Sequence, residues 1–394
     1  MKIIARKENL LLVAVNDNAD LSCIFDKGFI INLNGQRISP LLPVGTLTKD
    51  GDWEKYDVDY NDFNINNDYI KNALLGAAIG DAFGVPYEFM SRDAISKLDL
   101  KDMIGSNVKH DFNSYWGNRI PAGSWSDDTS MIVATMDSMI ENKQINYDDI
   151  MKKFVIWNSE GKYSSNDFSF GLGSTVNSAL KKYVEGTSPI YCGGINYMDN
   201  GNGSLMRILP FSLYCIARDL SDYDTYKIIS YGSSITHGNE ISIMACYLYT
   251  KLLAGAIKTK NARLAYSEMI SSNYKSYFSD KTISEFSDIL EDIYDLNPNK
   301  IDESGYVVDS LKTVIYSLLM SNSFESTIKR CVKIGYDTDT NSCIAGSIAG
   351  VIYGLDNVPQ NWILNLKRKE YLEELADKFN KIIKEMGSNK TKTV

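Results

Sequence analysis

From about residue 68 onward, the apolar residues of this chain recur every three to four positions, and no series of strands alternates with them. A period near 3.6 is met only by helices that each bury one face. "DYIKNALLGAAIGDAFG" puts Ile70, Leu74, Ala77 and Ala78 on one face. "SDDTSMIVATMDSMIEN" does the same with Met131, Ile132, Met136, Met139 and Ile140. "YDDIMKKFVIWNSEG", "STVNSALKKYVEG", "ISIMACYLYTKLLAGAI", "SLKTVIYSLLMSN" and "CIAGSIAGVIYG" are further helix candidates, several ending at a glycine. The pattern predicts an all-α body over residues 66–387 and a flexible tail over 388–394.

Residues 1–65 read differently. "NLLLVAV", "CIFDKGFIINL" and "YDVDYNDFNI" are short, β-branched or aromatic, and separated by Gly, Pro and Asn. Asn34-Gly35 between two such runs is a type I′ hairpin signal. A small β-rich module is expected here, joined to the body by the polar stretch "NDFNINND". "LLLVAV" is too short for the core of a secretion signal and reads as a strand.

Composition narrows the function classes. A formal net charge of -9 argues against a nucleic-acid groove. No consecutive apolar run reaches the length expected of a membrane span. Cys23, Cys192, Cys215, Cys246, Cys331 and Cys343 are scattered and form no CxxC pair, the pattern of reduced, buried thiols in a cytoplasmic protein. His110 and His237 are the only histidines, so a zinc site of His and Cys is not expected.

Common nucleotide and hydrolase signatures are absent: GxxxxGK[ST], GxSxG and HExxH do not occur. "DTDTNS" at 337–342 begins like a calcium loop, but Ser342 and Ile348 stand where such a loop needs Gly and Glu. Asp62 spoils "DVDYNDFNINND" in the same way. Two acidic clusters remain, "SDDT" at 126–129 and "DTDT" at 337–340, each opening a helix rich in small residues. Taken singly, each is an N-cap with acids at the positive helix end. Taken together, they offer four carboxylates and several hydroxyls, hard ligands suited to Mg²⁺, Mn²⁺ or Ca²⁺. Upstream, "GAAIGDAFGVPYEF" ends with Glu88 in a loop. "NGNGSLMRILP" combines flexible glycines with Asn202, Ser204 and Arg207, and is either a phosphate-holding loop or a plain turn. "THGNE" contains His237.

In this order the five segments resemble the ADP-ribosylglycohydrolase family over about residues 68–360. The resemblance rests on GDAxGxPxE, SDDT, GNGSxMR and DTDT together. It implies an all-α, orthogonal helical domain with a binuclear Mg²⁺ or Mn²⁺ site. Ser126, Asp127, Asp128, Asp337, Asp339 and Thr340 would be metal ligands. Glu88 would stand near the substrate in a gating loop, and Asn202, Gly203 and Ser204 would hold the diphosphate. His237 would line the ADP-ribose pocket. The family's GGDTDT has Tyr336 in place of its second glycine here, beside the ribose.

The implied reaction is hydrolysis of an N-glycosidic bond between ADP-ribose and a protein side chain, arginine first among acceptors, with Asp127 or Glu88 relaying protons. Neither nucleic acid nor a membrane is expected as partner. Two other readings stay open: a sensor that binds ADP-ribose with little turnover, and a protein-binding module on a hydrolase scaffold. The outline is similar to family members that act as immunity proteins against ADP-ribosylating toxins. Residues 1–65 would then be an arm covering a cognate toxin; as a packing appendage or dimerisation arm they would have no such role.

Overall fold

The computed structural model describes residues 69–388, apart from 292, 294, 295 and 357. Before them it describes 2–7, 10–14, 27–32, 42–43, 47, 49 and 53–55. The Asn34-Gly35 turn, the polar stretch before Tyr69 and the tail beyond Ser388 lie outside the described residues. In the N-terminal stretches, β1 (Lys2–Lys7), β2 (Leu10–Ala14), β3 (Lys27–Asn32), β4 (Leu42–Pro43) and β5 (Glu54–Lys55) pair antiparallel in the order β4-β3-β2-β1-β5. Ala5 and Leu12 sit opposite each other in this register, and both are buried.

The body is helical. Its longer helices are α1 (Tyr69–Gly84), α2 (Asp127–Asn142), α3 (Tyr147–Glu160), α4 (Ser174–Val184), α5 (Leu209–Ala217) and α6 (Asp222–Ser234). After them come α7 (Glu240–Thr259), α8 (Ala262–Ile270), α9 (Val307–Leu319), α10 (Phe324–Ile334), α11 (Thr338–Tyr353) and α12 (Lys369–Ser388). Each segment singled out by its period is a helix. Side-chain caps open several of them: Asn146 accepts from Asp149 N, Ser221 from Asp224 N, and Ser323 from Ser326 N. Gly161 and Gly354, both at positive φ, end α3 and α11.

Among the helices beyond the expected set, α6, α10 and α12 are polar on most sides and bury a narrow stripe, which an apolar count undervalues, while α5 is short and apolar. In α12 the stripe is Leu372, Leu375, Ala376, Phe379 and Ile383. α7 corrects the expectation about membrane spans: by length and composition it is apolar enough to cross a bilayer. However, 83% of its apolar window is buried inside the fold, because it is a central core helix packed on α6, α8, α9 and α11.

The helix pair that positions the site is α1 with α11. They run antiparallel, with Gly76 against Gly346, Gly80 against Ser342 and Gly84 against Thr338. A Cβ at Gly76 would lie 2.3 Å from the Gly346 carbonyl oxygen, and one at Gly350 would lie 2.2 Å from that of Asn72. Glycine every fourth residue makes a flat groove down α1, so the two backbones touch. This contact brings the C-terminal end of α1 to the N-terminal end of α11. α2 packs beside both.

Candidate active site

Three chain segments meet where α1 ends and α2 and α11 begin. Asp81, in the last turn of α1, is fully buried and caps α2 from outside that helix. It accepts from Ser126 N at 3.0 Å, Thr129 N at 3.1 Å, Ser126 Oγ at 3.0 Å and Thr129 Oγ1 at 2.6 Å. The cap expected of Ser126 or Asp127 is thus supplied by another helix; Ser126 makes no side-chain cap bond and gives its hydroxyl to Asp81 and to Asp128 Oδ2 (2.8 Å). With two of its first N–H groups answered by Asp81, α2 brings the Asp127 and Asp128 carboxylates to the same end.

Asp337 and Asp339 come from the start of α11. Asp337 accepts from Asn202 Nδ2 at 2.7 Å and is hydrogen-bonded to Thr340. Asn202 also donates to Ser310 Oγ at 2.8 Å, which fixes its amide. Thr338 turns away and donates to the Gly84 carbonyl at 2.8 Å, pinning α11 to the end of α1. Glu88 follows the short turn Val85–Tyr87, and its Oε2 accepts from Trp116 Nε1. Gly171, at positive φ, packs against Asp127: a Cβ there would lie 2.1 Å from Asp127 Oδ1.

One oxygen each from Asp81, Asp128 and Asp339 lies within 4.8 Å of the others, and the same holds for Glu88, Asp337 and Asp339. Asp128 Oδ1 and Asp339 Oδ1 are buried with no hydrogen-bond partner. The buried lysines with ion pairs are elsewhere, Lys153 with Asp137 and Glu141, and Lys312 with Asp288. Burial and mutual repulsion push these acids upward. Burial raises Asp81 to about 6. Burial, then the neighbouring Asp81 charge, raises Asp127 to about 8. Asp128, Asp339 and Glu88 are raised well above the usual carboxylate range, by burial first and then by neighbouring acids. Buried carboxylates with unanswered oxygens call for positive charge. An all-oxygen donor set of this kind fits a hard divalent cation.

The other expected residues sort into two groups. Asn202 joins the acids through Asp337. Gly203 and His237 lie against each other one layer behind: a Cβ on Gly203 would stand 2.9 Å from His237 Cε1. His237 is buried, its Nδ1 is 2.9 Å from Thr236 Oγ1, and burial lowers it to about 3, so it is neutral. The Ser204 side chain faces the core, where its oxygen accepts from Ser233 Oγ at 3.0 Å. Arg207 is buried there too, donating to the Gly232 carbonyl at 3.0 Å and to Thr236 Oγ1 at 2.5 Å. Tyr336 is 43% exposed at the mouth, with φ +62°. Asp81 was not among the expected ligands. Its signal was present all the same, as the lone acid in a Gly/Ala run whose every neighbour is buried.

The sequence model of the ADP-ribosylglycohydrolase family matches residues 64–390. The chain therefore belongs to the ADP-ribosylglycohydrolase family and is a glycohydrolase enzyme. It is 29% identical over 319 residues to the ADP-ribosylarginine hydrolase Tri1 of Serratia proteamaculans, covering 79% of each chain. It is 26% identical over 305 residues to the ADP-ribosyl-[dinitrogen reductase] glycohydrolase of Rhodospirillum rubrum, covering 77% of this chain and 92% of that one. Among solved structures, one described as an ADP-ribosylglycohydrolase-related protein complex shares the fold, with a TM-score of 0.65 at 22% identity, covering 80% of this chain and 98% of that chain.

Proposed function

We propose that this enzyme removes ADP-ribose from modified arginine side chains, using two divalent cations, Mg²⁺ or Mn²⁺, held by Ser126, Asp127, Asp128, Asp337, Asp339 and Thr340. Asp81 is added to the set that faces the cations. The observation that carries the reading is the pair of buried, unpartnered oxygens, Asp128 Oδ1 and Asp339 Oδ1, inside a cluster of carboxylates. The relatives named as an arginine hydrolase and a dinitrogen-reductase glycohydrolase support the substrate class. When bound, the cations neutralise the acids and polarise water and the ribose hydroxyls.

The chain's own residues do the rest. Asn202 fixes Asp337. Trp116 holds the Glu88 carboxylate through Oε2. Water adds to C1″ of the ribose, the C1″–N bond breaks, and its electron pair leaves with the guanidine nitrogen. Glu88 or Asp127 transfers the proton from the water to that nitrogen, a role suited to acids raised toward neutrality. The remaining carboxylates stabilise positive charge developing on the sugar. Asn202 and the backbone of Gly203 and Ser204 are proposed to hold the rest of ADP-ribose, with His237 packed behind Gly203 as support, and Tyr336 to pack beside the ribose.

Residues 1–65 are proposed as a unit separate from the body over 66–387, because the family match begins only at residue 64. As an arm, they would bind a cognate ADP-ribosyltransferase toxin, making the protein an immunity factor that both covers the toxin and reverses its product. The deciding assay incubates the protein with arginine- and serine-ADP-ribosylated substrates, in Mg²⁺ or EDTA, and measures free ADP-ribose. Release from the arginine substrate in Mg²⁺ alone supports the proposal. No release, with ADP-ribose still bound, supports a binding protein with little turnover.

A further inference from the structure

Beside Glu88 there is a second, open cavity of about 570 Å³, lined by Phe89, Tyr115, Asn118 and Arg119 among others. Glu88 belongs both to this cavity and to the acidic cluster, so the two adjoin at this residue. The cavity's aromatic residues are unusually exposed: Phe89 is 52% and Tyr115 49% exposed, with Phe89 edge-on to Tyr115 at 5.7 Å and to Tyr336 at 6.1 Å. Phe89 (φ +67°) and Tyr336 (φ +62°) both sit in the left-handed region, which bulky side chains rarely adopt. Two backbone bonds hold them there: Phe89 N donates to the Tyr336 carbonyl at 2.7 Å, and Tyr336 N to the Met90 carbonyl at 2.8 Å. Strain retained at the lip of a site marks a side chain aimed there for use.

One of the rings already carries a guanidinium. The Arg119 guanidinium lies over the Tyr115 ring, 4.2 Å from its centre. A planar cation on an aromatic face is a favourable pairing, and Arg119 is an exposed side chain held there by one further bond, from its Nη1 to the Tyr115 carbonyl. We propose that this aromatic cavity receives the guanidinium end of the modified arginine, with Arg119 holding the place until substrate displaces it. The inference rests on the arginine hydrolase reading above and makes Phe89 and Tyr115 residues that select the acceptor side chain. A serine acceptor has no group to fill the cavity.

The test is calorimetric titration of the full-length protein with agmatine, a free alkylguanidinium, and with N-carbamoylputrescine, its neutral urea counterpart. Agmatine should bind at least about tenfold more tightly than the urea. Phe89→Leu and Tyr115→Leu, which keep apolar bulk, should each weaken agmatine about fivefold while ADP-ribose binds as before. Arg119→Gln should tighten agmatine by removing the internal competitor. Equal affinity for the two probes, or leucine variants that bind agmatine like the parent, would overturn the proposal. The two readings fail separately. A protein that shows this binding pattern but releases no ADP-ribose from arginine-linked substrate keeps the cavity and loses the proposed reaction. A protein that releases ADP-ribose without the pattern keeps the reaction and loses the cavity.

Discussion

Gly80 and Ser342 stand so close that a single added carbon cannot fit between them: a Cβ on Gly80 would lie 2.0 Å from the Ser342 carbonyl oxygen. The contact is backbone to backbone, so no side chain can rotate away to relieve it. Gly80→Ala must push α11 off α1, and Asp81 and Asp339 ride on those two helices. We expect a loss of about 1–3 kcal/mol by urea denaturation, the usual range for overpacking. Turnover should fall further than stability, since the acids separate. A midpoint equal to the parent's would refute the close approach.

Asp128→Asn and Asp339→Asn should each lower turnover by at least about 100-fold, because each removes a charged oxygen that no protein group replaces. The apo proteins should nonetheless melt at a higher temperature than apo parent. Each change removes a buried acid whose ionisation burial and its neighbours oppose. Metal analysis and thermal melts in EDTA give both readouts. Parent-like activity in either variant removes that residue from the cation site.

The same crowding gives the metal-free enzyme a pH dependence of definite sign. Asp127 is raised to about 8 when folded, so the folded state holds a proton that the unfolded state has released. That contribution is complete below the ordinary carboxylate range and is lost as pH climbs to about 8. His237 acts oppositely: lowered to about 3, it favours folding more as pH rises toward its ordinary 6.5. Above about 6.5 the acids act alone. In EDTA the melting temperature should therefore fall between pH 6.5 and 8, and saturating Mg²⁺ should flatten the fall. Asp127→Asn should flatten it in part even without metal. A melting temperature that rises over this interval would contradict the assignment.

How much of this was legible beforehand differs residue by residue. The helical body could be read because its main helices bury wide apolar faces, and α1 and α11 were also marked by their small residues. α10 and α12 escaped because each buries one stripe beneath a polar majority, as with Phe324, Ile328, Cys331 and Val332 in α10. The acids of the two helix starts were visible as pairs. Their convergence was not, since it depends on the Gly76–Gly80–Gly84 groove meeting Ser342 and Gly346 across more than 250 residues of chain. Asp81 was hidden for a related reason: its partners, Ser126 and Thr129, belong to another helix. The core-facing side chain of Ser204 depends on Ser233 and Cys246, which no local pattern ties to the glycine loop.

Glu88 is held by Trp116 through Oε2, and its carboxylate lies within reach of those of Asp337 and Asp339. Glu88→Gln keeps the shape and the bond to Trp116 while removing the exchangeable proton. We expect kcat to drop by about 100-fold, within the range for loss of a general acid–base group. KM should change only a few-fold, and two equivalents of metal should remain. Loss of metal from this variant would move Glu88 from proton transfer into the cation shell.

Among the described residues, the acids that meet at the site come from α1, α2, α11 and the loop carrying Glu88, and none lies before Tyr69. A protein starting at Asn66 should therefore stay soluble, melt near the full-length temperature and release ADP-ribose at a comparable rate. If the N-terminal strands form an arm for an ADP-ribosyltransferase, the shortened protein should lose stable association with that enzyme. Full-length Asp339→Asn should keep the association, because the arm needs no cation. The two variants then fail in opposite assays, one in co-elution with the transferase and one in ADP-ribose release. Should the shortened protein unfold, the strands are part of the body's own packing. Should association follow Asp339 and not the arm, the transferase is recognised through the catalytic mouth, and the N-terminal strands have no part in it.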